Sequence, residues 1–380
     1  MLPLHFIFLT NYLSLAILFL LKFLVMNEYI MMIFFCIGIV LISILTNWFL
    51  LRYSGNKFSK DVPKDTLRWE MKRKPAIGGI SFFVGFLIAI LAFFLMTHST
   101  EFDNTKTIAM LLCITAACIL GLYDDFANAP VSVKFIVQFL IAITLICVDI
   151  RIHITHIDAI DIILTILWVV GIINSLNMLD NMDGVTASVS ICILLGILLI
   201  GSLNYNMLLL NQLIIIALIC SIIGFLFFNH YPSKMYMGDI GSLILGCSLA
   251  IFSIIYLWNP PVDSHFDIHT AIRQLLCVML LFVIPLTDTS TVFIKRIRRG
   301  QSPFKGDKGH TTHHLVYAGM HQKFVAPLYA LITLAGMALA LCLTYFVKQW
   351  NWPLIILSIL YCIIVWVVLF TLANKHTEKD

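Results

Sequence analysis

Four stretches gather polar, chemistry-bearing residues in a chain that is otherwise 61% hydrophobic and only 12% charged: "GLYDDFANAP" (121–130), "NSLNMLDNMDG" (174–184), "NHYPSKMYMGD" (229–239) and "KRIRRGQSPFKGDKGHTTHH" (295–314). A charge drawn toward lipid is costly, so an acid at a membrane boundary usually has a partner or a task. Asp124 and Asp125 follow an apolar run with no adjacent base, and two carboxylates that close repel unless a cation intervenes. Lys134 or a metal ion is the available counter-charge. The plainer reading is a solvated helix end, although two acids there oppose the helix dipole.

In "NMLDNMDG" the residues Asn177, Asp180 and Asp183 recur every third position, which on a helix places them along one slowly drifting stripe that Gly184 ends. Three oxygen-bearing side chains on one stripe suit a hard cation or a polar ligand. Asp239, between two glycines in "MGDIGS", is either the N-cap of the apolar run that follows or, beside the other acids, a Mg²⁺ ligand. His310, His313 and His314 have i, i+3, i+4 spacing and would share one helix face. Lys295, Arg296, Arg298, Arg299, Lys305 and Lys308 crowd the same segment, a combination better suited to a phosphate or diphosphate than to zinc. Asp288, in "PLTDT", falls inside an apolar segment, where a carboxylate is functional or pairs with Lys134 or a base of the next loop.

The elements that must position these residues are membrane helices. Mean hydropathy is +0.98, and apolar segments recur at about 5–26, 29–51, 77–98, 107–123, 133–150, 160–176, 185–203, 206–228, 240–258, 272–294, 324–347 and 352–372. The expected fold is all-α, a polytopic transmembrane helical bundle. Residues 29–380 form a single membrane-embedded domain with eleven spans, and residues 1–28 form an extra N-terminal segment: a tight hairpin, an added helix or an early start. That segment lacks the basic n-region and small-residue cleavage site of a signal peptide. The ten cysteines all fall inside spans without a C-x-x-C pair, and read as packing residues.

If the spans alternate sides, 19 of the 24 lysines and arginines lie on one face. The positive-inside rule makes that face cytoplasmic, and all four polar stretches lie on it. Hard-metal acids combined with phosphate-binding bases at the edge of a lipid-exposed bundle describe phosphoryl transfer between a soluble nucleotide donor and a lipid acceptor.

The ordered motifs "KPAIGG", "GLYDDF", "NMLDNMDG", "MGDIGS", "PLTD" and "SPF…GHTTHH", from about Arg52 to the C-terminus, resemble those of the polyprenyl-phosphate N-acetylhexosamine-1-phosphate transferases. The resemblance implies transfer of a sugar 1-phosphate from a UDP-sugar to undecaprenyl phosphate, with release of UMP, in a bacterial plasma membrane and with Mg²⁺ (Mn²⁺ substituting) as cofactor. It implies that Asp124 and Asp125 handle the lipid phosphate with Lys134, and that Asn177 and Asp239 are Mg²⁺ ligands. Asp180 becomes a further essential acid, and Lys74 and Asp183 become nucleotide contacts. His310, His313, His314 and Arg299 fall on the diphosphate and sugar side.

Two departures bear on the branch. "HTTHH" is one residue longer than the H-x-H-H of the N-acetylglucosamine enzymes, and the G-T-P-T-M-G-G loop and triple histidine of the muramoyl-pentapeptide enzymes are absent. The first bears on how His310 is aimed; the second favours a simple UDP-HexNAc, with N-acetylglucosamine first, leading to surface polysaccharide, O-antigen or cell-wall glycan, and the muramoyl-pentapeptide transferases are the alternative. The partners expected are the two substrates and the bilayer, with a homodimer left open and no nucleic acid. The competing class is a secondary transporter, but carriers place ionisable residues near the midplane and show two related halves. Here the acids gather at one face and no internal repeat is visible.

Overall fold

A computed structural model of the protein describes residues 30–53, 74–96, 104–155, 157–205, 207–259, 268–300, 309–346 and 350–375. These form helices α1 (Ile30–Tyr53), α2 (Ile80–Met96), α3 (Asn104–Ala127), α4 (Val131–Cys147), α5 (Asp158–Leu179), α6 (Val185–Asn204), α7 (Leu209–Asn229), α8 (Gly238–Ser253), α9 (Ile268–Leu281), α10 (Val283–Arg298), α11 (Thr311–Tyr317), α12 (Val325–Leu341) and α13 (Trp352–Lys375). A π-helical turn, Ile254–Trp258, prolongs α8, and another, Cys342–Phe346, prolongs α12. No strand occurs among the described residues. The expectation for residues 1–28 lies outside them.

Among the described residues, each apolar segment expected from 29 onward forms a helix over most of its length, and eight helices are long and apolar enough to cross a membrane. α2 and α4 are shorter apolar helices. The segment expected as one span over 272–294 consists of two helices, α9 and α10, bent by 77°, a broken span or a re-entrant pair. Pro285 accounts for the break: a proline ring clashes with the carbonyl four residues back, and that residue, Leu281, is the last of α9.

α8 is the hub. Its apolar window is 94% buried, and it packs against α3 and α5 most extensively, while α2 lies along α7 and α6 along α12. α1 and α13 are peripheral, turning Phe34, Leu45, Phe49, Ile356, Ile363 and Ile364 outward, as lipid-facing helices do. Small residues bring helices together. Gly121 of α3 rests against the Ile240 backbone, where any side chain would collide, so the two residues that follow it by three and four positions, Asp124 and Asp125, reach the first turn of α8.

Candidate active site

The N-terminus of α8 is the centre of the site. Asp125 Oδ2 accepts the Ile240 N–H at 3.0 Å, placing a carboxylate where the helix leaves amides unpaired and its dipole is positive. Gly238 enters the helix with φ +71°, and a Cβ there would strike the Ala76 carbonyl and Asp125 Oδ2; only glycine fits such backbone without strain. The "KPAIGG" segment is fastened alongside: Tyr236 N–H donates to the Pro75 carbonyl at 2.9 Å, while Gly78 and Gly79 N–H donate to the Tyr236 and Met237 carbonyls at 3.0 and 2.9 Å.

Asp239 is not the N-cap. Met237 holds that position, and Asp239 stands in the first turn with Oδ1 accepting Asn177 Nδ2 at 2.7 Å. Asn177 Nδ2 also donates to Ser242 Oγ at 3.0 Å. Asp124 lies beside Asp239, 4% exposed. Its Oδ1 accepts the Ala129 N–H at 3.0 Å and its Oδ2 forms an ion pair with Lys134 of α4. The base ten positions on does reach back, which is what allows two carboxylates to approach in a poorly solvated place.

The expected stripe of Asn177, Asp180 and Asp183 is broken. α5 ends at Leu179, so Asn177 alone is helical; Asp180 is the C-cap with ψ 54°, and Asp183 lies in the turn to α6. The backbone turns because Asn229 of α7 accepts the Gly184 N–H at 3.0 Å and donates to the Met235 carbonyl at 2.9 Å. The two acids therefore point into different surroundings. Asp180 is half-buried. Asp183 accepts Ser233 N–H at 2.9 Å and Ser233 Oγ at 2.7 Å, with Lys74 Nζ 3.9 Å away. Lys74 itself donates to Ser233 Oγ at 3.0 Å and lies 5.2 Å from the Tyr236 ring centroid. Lys74, Asp183, Ser233 and Tyr236 thus form a polar wall with one aromatic face.

The three histidines do not share one task-ready face either. His310 is the N-cap of α11, outside the helix, and only His313 and His314 lie within it. All three are buried. His310 Nδ1 donates to Asp288 Oδ2 at 2.8 Å, while His314 Nε2 lies 2.6 Å from Lys295 Nζ, which also donates to the Ala373 carbonyl at the end of α13 at 2.8 Å. Asp288 thus pairs with the histidine segment and not with Lys134. Arg299 caps α10, exposed, with no side-chain partner among the described residues. Lys305 and Lys308 lie outside the described residues. Thr312 Oγ1 donates to Asn181 Oδ1 at 2.6 Å, joining α11 to the turn that carries Asp180 and Asp183.

Among the described residues, no three His, Cys, Asp or Glu side chains close on a metal by themselves. The expected pair, Asn177 and Asp239, nonetheless offers hard oxygen: a half-turn of the Asn177 carboxamide replaces Nδ2 by Oδ1 beside the Asp239 carboxylate. Two protein oxygens with the rest from water and phosphate is the usual economy of a Mg²⁺ site.

Residues 107–257, from the first turn of α3 to the π turn after α8, match the family model "Glycosyl transferase family 4". Over these residues the chain is similar to that family. It is 27% identical over 268 residues to the "Probable undecaprenyl-phosphate N-acetylglucosaminyl 1-phosphate transferase" of Bacillus subtilis (strain 168), covering 68% of this chain and 70% of that one. It is 31% identical over 117 residues to the "Decaprenyl-phosphate N-acetylglucosaminephosphotransferase" of Mycobacterium leprae (strain TN), covering 30% of this chain and 29% of that one. It is 29% identical over 150 residues to the "Phospho-N-acetylmuramoyl-pentapeptide-transferase" of Streptococcus pyogenes serotype M49 (strain NZ131), covering 37% and 39%.

The glycosyl transferase family 4 match takes in Asp124, Asp125, Lys134, Asn177, Asp180, Asp183 and Asp239, and leaves Lys74 and the histidines outside. Ser233, Asn181 and Asn229 are site residues that motif spacing did not single out, although all three stand inside the quoted polar stretches. Their signal was weak because each works by holding a backbone or side chain across 45 to 131 residues of sequence.

Proposed function

We infer that the protein transfers an N-acetylhexosamine 1-phosphate from a UDP-sugar to undecaprenyl phosphate, releasing UMP, with N-acetylglucosamine as the sugar. The observation that carries the reading is the meeting of Asp124, Lys134, Asn177 and Asp239 at the N-terminus of α8, close to an apolar groove. The groove, of about 380 Å³, runs between α5 and α10 and is lined by Leu167, Trp168, Gly171, Ile172, Phe293 and Ile294 among others. Ser175, two residues before Asn177, belongs to its wall. Such a groove suits a polyprenyl tail, since apolar surface leaves lipid for it at no hydration cost while the head group stays at the polar end.

Lys134 supplies the fixed cation for the lipid phosphate and is itself held by Asp124. In this reading Asp124 and Asp125 take the proton from the lipid phosphate, and Lys134 holds the anion that results. Its oxygen forms a new bond to the β-phosphorus of the donor, the anhydride bond to the α-phosphate breaks, and UMP carries away the electron pair. Lys74 and Asp183, with the Tyr236 face, suit the uridine end, and the histidine segment suits the diphosphate. Asn177 and Asp239 would hold Mg²⁺, which supplies neutralisation of the charge that develops on the diphosphate. The asymmetry of lysines and arginines along the sequence supports a cytoplasmic orientation of this face, and the bacterial relatives support a bacterial plasma-membrane setting.

Purified protein incubated with UDP-N-acetylglucosamine and undecaprenyl phosphate is expected to release UMP and form a lipid-linked diphosphate sugar. UMP release that does not require the lipid phosphate would overturn the reading.

A further inference from the structure

Asp288 lies apart from the acids around α8, 1% exposed, in the first half of α10. Its carboxylate takes three hydrogen bonds from two consecutive residues. Oδ1 accepts Thr311 N–H at 2.8 Å and Thr311 Oγ1 at 2.6 Å, and Oδ2 accepts His310 Nδ1 at 2.8 Å. Tyr329 of α12 donates its hydroxyl to Thr311 Oγ1 at 2.7 Å. The two bonds to Thr311 would suffice to fasten the start of α11, satisfying one of its unpaired amides. The third bond, to an imidazole ring, is not needed for that. His310 is itself 3% exposed, yet its Nε2 has no hydrogen-bond partner among the described residues.

We propose that Asp288 is a positioning residue for His310: by accepting from Nδ1 it fixes the ring so that Nε2 meets a phosphate oxygen of the nucleotide-sugar diphosphate. The proposal rests on the transferase reading above. The hydrogen bond at one ring nitrogen determines what the other can do. With Nδ1–H committed to the carboxylate, the neutral ring offers a bare lone pair at Nε2. When Nε2 takes a proton, the adjacent carboxylate stabilises the imidazolium, which then donates a charge-assisted bond to an anionic oxygen. Thr311 holds the carboxylate from the opposite side, so it cannot swing away from the ring. The other groups facing His310 are the His313 ring, with centroids 6.1 Å apart, and the Tyr329 hydroxyl reached through Thr311. The nearby ammonium of Lys295 is directed at His314.

The test is a double-mutant cycle on the full chain in detergent, comparing wild type, Asp288→Asn, His310→Ala and the double variant, with kcat and KM for the UDP-sugar measured separately at saturating lipid phosphate. Each single substitution is expected to lower kcat by about 10²-fold or more. The double variant is expected to fall no more than about threefold below His310→Ala, because Asp288 acts through the ring it no longer has. Effects that multiply, or an Asp288→Asn enzyme with wild-type kcat, would overturn the proposal. A second measurement needs no Asp288 variant and no turnover: ¹⁵N-histidine spectra of the folded wild type, with His310→Ala identifying the signal, are expected to show the Nδ1–H tautomer. An Nε2–H tautomer would overturn the dyad even in an active enzyme. A wild type that releases no UMP, while showing the Nδ1–H tautomer, would instead count against the transferase reading and leave the His310–Asp288 geometry standing.

Discussion

Asn177 and Asp239, 62 residues apart, meet through a 2.7 Å hydrogen bond from Nδ2 to Oδ1, one at the last turn of α5 and the other at the first turn of α8. The bond joins the polar ends of two helices that pack along each other in the core, and it is where the proposed metal would bind.

Asp239→Asn and Asn177→Ala are each expected to lower kcat by on the order of 10²–10³-fold, the usual consequence of removing one group that stabilises developing charge. Thermal unfolding in detergent should change little, because neither side chain fills core volume. EDTA is expected to abolish UMP release and Mg²⁺ to restore it, with Mn²⁺ as a weaker substitute and Zn²⁺ ineffective at hard-oxygen ligands. Full turnover in EDTA would sink the metal assignment.

Lys134→Met removes the cation from a buried carboxylate, Asp124. An uncompensated buried charge destabilises strongly, so both the unfolding temperature and the rate should fall. Adding Asp124→Asn should recover much of the stability and none of the activity. Recovery of activity in that double variant would show that the pair is structural only.

Gly121 and Gly171 make a contrast measurable with one methyl group or one ring. A Cβ at Gly121 collides with the Ile240 backbone, whereas one at Gly171 meets nothing within 4 Å. Gly121→Val should therefore destabilise by about 1–3 kcal/mol, the range for overpacking, and displace Asp124 and Asp125. Gly171→Ala should be neutral, and Gly171→Trp, which fills the groove beside Trp168, should raise KM for the lipid substrate with KM for the UDP-sugar unchanged. Equal effects on both substrates would move the lipid elsewhere.

Topology is checked by labelling single cysteines in intact cells after the ten native thiols are replaced. Lys106→Cys, exposed in the first turn of α3, should react from outside, and exposed Lys234→Cys only after lysis. The reverse pattern would invert the face assignment.

A panel of UDP-sugars, assayed for UMP release with undecaprenyl phosphate, should rank UDP-N-acetylglucosamine first. Preference for another UDP-HexNAc would correct the sugar alone, and preference for the muramoyl-pentapeptide donor would correct the branch.

The sequence by itself determined the helices from residue 29 onward and the end of the bundle at which the acids gather, because both follow from local hydropathy and from the alternation of sides that successive spans impose. It offered Lys134 or a metal ion as the counter-charge of Asp124, and the structure shows the Lys134 ion pair. Hydropathy over 272–294 does not show the bend, and only the structure shows that the chain turns by 77° there. Tertiary structure alone decided the rest. Asn177 parts from Asp180 and Asp183 because Asn229, from another helix, captures Gly184. The i, i+3, i+4 histidines divide because Asp288 draws His310 out to the cap while His314 turns to Lys295. Periodicity reports which residues share a face of one helix, and it carries no information on which distant donor reaches a buried carboxylate first.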